Sequence, residues 1–103
     1  MRFGLPETAV ARIQAALARH PEVEKAILYG SRAKGDFKLG SDIDLTLFGE
    51  ALTHRTQLDL MEELDDLLLP WMIDLSIFAE LDHPALQAHI QRVGQVFFER
   101  HGA

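Results

Sequence analysis

The chain has 103 residues, 48% of them apolar, and a formal net charge of −6 from sixteen acidic and ten basic side chains. That length suits one domain over residues 1–103, able to bury a core but with no room for a second substrate-binding lobe. The acidic balance argues against a free-standing nucleic-acid binder, whose affinity comes largely from neutralising phosphates. Without cysteine there is no disulfide framework and no thiolate zinc site. No apolar run is long enough for a signal peptide or a membrane span, so the expected location is the cytoplasm.

Pro6 to His20 predicts a helix, because Val10, Ile13 and Leu17 recur at helical spacing with Ala9 and Ala16 beside them. Pro6 suits its start and Pro21 its stop. Glu24 to Tyr29 predicts a short strand, nearly all apolar at its end and therefore central in a sheet. It runs into Gly30-Ser31, and Arg32-Ala33-Lys34 suits the first turn of a short helix. A glycine-serine turn between strand and helix exposes backbone N–H groups and admits a phosphate closely. Ser31 adds a hydroxyl donor, and Arg32, Lys34 and Lys38 make the loop locally basic.

From Asp42 to Phe48 the residues alternate with the period of a strand: Ile43, Leu45 and Leu47 on one face, Asp42, Asp44, Thr46 and Phe48 on the other. The two aspartates are then about 7 Å apart along one face. Two carboxylates so placed repel each other and lose hydration. A cation between them relieves both costs, and oxygen-only ligands with open positions suit magnesium, whose other sites take water and substrate phosphates. A calcium loop is excluded, since its sixth and twelfth positions, counted from Asp42, hold Leu47 and Thr53. A Walker-type phosphate loop is excluded because Gly35 is followed by Asp36-Phe37 rather than Lys-Ser/Thr.

Beyond that strand, Thr53 is the expected N-cap of a helix from His54 to Leu69 with a buried stripe of Leu60, Met61, Leu64, Leu67 and Leu68. Glu62, Glu63, Asp65 and Asp66 lie on its polar side, either as a solvated face or as a docking face for a basic partner. Pro70 ends it. Trp71 to Phe78 predicts a strand with Asp74 and Ser76 on the face opposite Ile73, Leu75 and Ile77. Asp82 or His83 caps a last helix at Pro84, with Leu86, Ile90 and Val93 inward and Gly94 as its stop. Gln95 to Glu99 closes the chain as a short strand or extended tail, and the five histidines show no ligand spacing. The fold class is α/β, a small mixed sheet of three or four strands flanked by helices.

A Gly-Ser, ten intervening residues and an Asp-x-Asp, spanning Tyr29 to Leu47, closely resemble the signature of the minimal nucleotidyltransferases, short prokaryotic members of the DNA polymerase β-like superfamily. The resemblance implies that Asp42 and Asp44 hold metal, that Gly30 and Ser31, with Arg32 and Lys34 beside them, bind the nucleotide, and that a third carboxylate on a later strand completes the site. By position the third is Asp74, the only acidic residue in the next strand-like run; the alternative for Asp74 is an edge-strand residue in solvent. The resemblance also implies two magnesium ions, ATP as substrate, and a helical HEPN-type toxin as partner. The chain would then be the antitoxin that moves AMP onto a tyrosine hydroxyl of the toxin, or one that neutralises it by binding alone.

Overall fold

The computed structural model describes residues 2–100. Helix α1 (Glu7–Ala18), strand β1 (Lys25–Tyr29), the single turn α2 (Ser31–Lys34), strand β2 (Ile43–Phe48), helix α3 (His54–Asp65), strand β3 (Ile73–Ile77), a 3-10 turn (Phe78–Glu80), helix α4 (Pro84–Val93) and strand β4 (Gln95–Glu99) follow in order. The strands form one mixed sheet in the order β3-β2-β1-β4. β1 pairs antiparallel with both β2 and β4, and β2 pairs parallel with β3 across the α3 crossover. The α/β expectation holds, with β1 in the interior of the sheet.

The alternation in β1, β2 and β3 sorts their side chains onto two faces. Leu28, Leu45, Leu47 and Leu75 meet Val10, Ile13 and Leu17 of α1 and Leu60 and Leu64 of α3 in the main core. On the other face Ile27 and Tyr29 pack against Ile90 of α4, with Phe48, Phe78 and Leu86 around them. The polar residues of β2 and β3 therefore share the face that α4 only partly covers. No helix among the described residues is long and apolar enough to cross a membrane.

Two helix starts follow their cap chemistry. Thr53 Oγ1 accepts from Thr56 N–H at 3.2 Å, and His83 Nδ1 accepts from Leu86 N–H at 3.0 Å, so His83 rather than Asp82 is the cap. The end of α3 differs from expectation. It stops at Asp65, a turn short of Leu69, because Pro70 lacks an N–H and disfavours helical backbone just before it. The chain tightens through Leu67 N–H to Leu64 C=O and Leu68 N–H to Asp65 C=O, and Arg12 caps the Leu67 carbonyl at 2.9 Å. Leu68, expected in the buried stripe, is 87% exposed with a left-handed φ of +54°, and Met61 is also exposed. On the acidic side, Glu63 is held by Arg19 and His20, and Arg55 pairs with Asp59.

β3 is shorter than Trp71–Phe78. Trp71 turns aside to donate its indole N–H to the Leu39 carbonyl at 3.1 Å, and Phe78 opens the 3-10 turn and stacks on Phe48. The loop between α2 and β2 is organised by Arg32, which is only 2% exposed. Its guanidinium donates to the carbonyls of Ser41 (3.0 Å), Phe3 (2.9 Å) and Leu39 (3.1 Å). It lies over the rings of Phe37 and Trp71, 5.1 and 5.8 Å from their centroids. Burial pulls its pKa below the usual guanidinium value, but three carbonyls and two ring faces leave the charge well solvated by protein.

Replacing Arg32 by methionine keeps much of the packing and strands three carbonyls. It is expected to cost roughly 2–4 kcal/mol and lower the melting temperature by roughly 10 °C or more. Arg32→Lys is expected to restore only part of this, since one ammonium cannot reproduce the fork. Thermal unfolding checks both, and an unchanged midpoint in Arg32→Met would show that the fork does not hold the loop.

Candidate active site

The turn at the end of β1 and the start of β2 meet because the two strands are antiparallel neighbours, with Tyr29 opposite Asp44. Gly30 has a φ of +76°, and a Cβ added there would stand 2.4 Å from Asp44 Oδ2. Both facts demand glycine: the backbone is left-handed, and the carboxylate lies against the bare Cα. Ser31 opens α2, whose one turn closes through Lys34 N–H to Gly30 C=O (3.1 Å) and Gly35 N–H to Ser31 C=O (2.9 Å). Gly35, also left-handed at +89°, ends it.

The parallel pairing of β2 with β3 puts Asp44 directly opposite Asp74, and Thr46 opposite Ser76. Asp42 immediately precedes β2, with its backbone held by Arg32 at Ser41 and by the Ile43 N–H bond to Met72 C=O (2.9 Å). Asp42 and Asp74 are exposed and Asp44 is half-buried. Burial raises the pKa of Asp44, and the charges of Asp74 and Asp42 raise it further, opposed by His89. The three sequence-predicted carboxylates thus feel one another at one end of the sheet.

Tyr29 is buried beside them. Burial raises its pKa, a side-chain contact with Ser76 works against the rise, and the charges of Asp74 and Asp44 add to it. The hydroxyls of Ser76 and Thr46 are buried with no hydrogen-bond partner among the described residues. His89 of α4 stands edge-on to Tyr29, with ring centroids 6.4 Å apart at 81°. Sequence reasoning set His89 aside with the other histidines. Nothing in its local pattern marks it, because it reaches the site only through the packing of α4 over β1.

The basic cluster is divided by the fold. Arg32 faces inward to the loop carbonyls, whereas Lys34 is exposed with its ammonium 3.5 Å from Asp36, and Lys38 is exposed. Expected beside a nucleotide, Arg32 instead has its donors engaged by the chain itself. Among the described residues, no three His, Cys, Asp or Glu side chains converge tightly enough to form a metal cage on their own. The donor chemistry still fits a hard cation: carboxylate oxygens at the end of the sheet, and a glycine cradle that a Cβ would fill. Such a set leaves coordination positions for oxygens brought by a substrate.

Several solved structures share this architecture. A toxin–antitoxin crystal structure with AMP-PNP superposes with a TM-score of 0.69 at 19% identity, covering 94% of this chain and 76% of that one. The toxin–antitoxin MntA–HepT gives 0.67 at 18%, covering 92% and 74%. The tri-AMPylated Shewanella oneidensis HEPN toxin in complex with MNT antitoxin gives 0.68 at 18%, covering 91% and 72%. At such identities the likeness establishes the fold. Among curated proteins no sequence matches. Residues 11–102, from within α1 to beyond β4, match the family described as "Polymerase beta, Nucleotidyltransferase". With that match running through both the Gly-Ser turn and the paired aspartates, the chain belongs to the polymerase β nucleotidyltransferase family.

Proposed function

We propose that the chain uses magnesium and ATP to transfer AMP to a hydroxyl, that of a tyrosine, on a HEPN-type toxin made by the same cell, and that it acts as the antitoxin in the cytoplasm. The observation that carries this is the in-register pairing of Asp44 with Asp74 beside the Gly30–Ser31 turn, in a nucleotidyltransferase chain. The partner is supported by structural neighbours that are toxin–antitoxin complexes, one with AMP-PNP and one with a tri-AMPylated HEPN toxin.

In this reading the acceptor oxygen attacks the α-phosphorus, the bond to the bridging oxygen breaks, pyrophosphate leaves, and the hydroxyl proton passes to a carboxylate. Gly30 and Ser31 hold the β- and γ-phosphates through backbone N–H groups and the Ser31 hydroxyl, with Lys34 nearby in solvent. Asp42, Asp44 and Asp74 would hold magnesium, which supplies charge neutralisation at the attacking and leaving oxygens. Asp74, exposed on the edge strand, would meet the acceptor and take its proton. Arg32 acts at one remove, by holding the loop that delivers Asp42.

Calorimetry is expected to show ATP binding that needs magnesium, weakened in Ser31→Ala and nearly lost in Asp42→Asn. Equal binding with and without the metal would remove the basis of the site.

With the HEPN-type protein, magnesium and ATP, mass spectrometry is expected to show AMP added to the partner. Asp74→Asn is expected to retain much of the ATP binding while transfer falls by at least about two orders of magnitude. Near-normal transfer would send the search for the third carboxylate elsewhere.

Stability of the metal-free protein should carry the mark of the crowded charges. Because the folded pKa of Asp44 is raised, its contribution is fully favourable below the unfolded carboxylate value and is lost as pH rises through the folded one. At neutral pH, Asp44→Asn is therefore expected to melt at or above the parent without metal and to gain less from magnesium. The difference should shrink on acidification. A clear loss of metal-free stability at neutral pH would make Asp44 a structural residue.

A further inference from the structure

We infer that the apolar flank beside the carboxylates, centred on Met72 and Leu39, is the surface on which the protein acceptor docks. This rests on the reading of the chain as a transferase acting on a protein. Of the two edge strands, β3 is the one that carries a carboxylate of the site. β2 is flanked by β1, whose end carries the Gly30–Ser31 turn, and α4 packs over β1, so an acceptor reaching Asp74 comes past the free edge of β3. Met72 stands on that approach. It precedes β3 on the same strand parity as Asp74, and its carbonyl accepts from Ile43 N–H, next to Asp42.

Met72 is 74% exposed and Leu39 is 87% exposed, yet their backbones are pinned. The Leu39 carbonyl takes bonds from both Arg32 and Trp71, and Trp71 directly precedes Met72. Pinned, exposed apolar side chains are presented rather than merely left at a loop tip. The surface continues past Trp71 into a pocket of about 80 Å³ lined also by Met61, Leu69 and Ile73. Three of the exposed large apolar residues described, Leu39, Met61 and Met72, meet around Trp71 on this flank. Single exposed apolar residues are ordinary, but a run of them with a polar rim marks an interaction surface.

Charge selects the occupant. The rim carries Asp42, Asp65 and Asp74 against Lys38 beside Leu39, and the chain carries a net charge of −6. A second copy would bring like charge to an acidic rim, whereas a protein with a basic rim around an apolar contact and a hydroxyl complements it.

The test uses the double variant Leu39→Ser/Met72→Ser, with Val96→Ser on the opposite edge strand as control. Affinity for the purified HEPN-type protein is expected to fall at least about tenfold in the double variant and to hold in the control. In AMP transfer the KM for the protein acceptor should rise while kcat, magnesium–ATP binding and the melting temperature are kept. Unchanged affinity overturns the docking surface, as does self-association of the parent chain that the double variant abolishes. A parent chain that binds the HEPN-type protein but transfers nothing overturns the transferase reading alone, and docking is then decided by affinity. A parent that labels another hydroxyl acceptor but does not bind the HEPN-type protein overturns docking of that partner alone.

Discussion

The buried guanidinium of Arg32 is the constraint on which the candidate site depends. Three carbonyls, from Phe3, Leu39 and Ser41, converge on one planar fork. They belong to the N-terminal segment and to the loop between α2 and β2, which have no ladder of their own to satisfy them. A guanidinium suits this place because it keeps its charge under desolvation and offers donors in fixed directions. The N-terminal segment comes in so closely that a Cβ on Gly4 would overlap the Phe37 ring. Asp42 follows Ser41 directly, so the position of one candidate ligand is set by a cation that does not itself face the site.

The second constraint is electrostatic. Strand pairing brings Asp44 and Asp74 together whether or not anything neutralises them, and burial of Asp44 makes their repulsion harder to screen. A carboxylate pair of this kind adds nothing to folding. Its place beside a glycine with no room for a Cβ is a local conflict of the sort expected where function outweighs stability. Tyr29, Thr46 and Ser76 continue the polar row under α4, between the carboxylates and the Phe48–Phe78 stack. The sheet face thus grades from charged and open at one end to apolar and covered at the other.

Local pattern explains why most elements were legible. The helical stripe of α1, the Thr53 cap, the alternation of β2 and the β1–turn–α2 unit depend on neighbours a few residues away, which the sequence displays. The ends were less so. Consecutive leucines at Leu67, Leu68 and Leu69 suggest a continuing buried stripe, but Pro70 withdraws the helical option one turn earlier and turns Leu68 outward. Trp71 reads as strand until its indole finds a carbonyl thirty-two residues away in sequence.

By itself the sequence determined that Asp42 and Asp44 share a strand face and that glycine begins a turn after an apolar strand, since both follow from backbone geometry over a few residues. It also showed one acidic residue, Asp74, on a polar strand face. Only the tertiary structure decided that β3 lies parallel beside β2, placing Asp74 opposite Asp44 rather than on some remote edge. It alone turned Arg32 inward, set His89 over Tyr29, and left Met72 bare at the free edge. The physical reason is common to all four. Periodicity tells which side of its own element a residue occupies, but which element lies across from it is chosen by long-range packing, which local pattern does not encode.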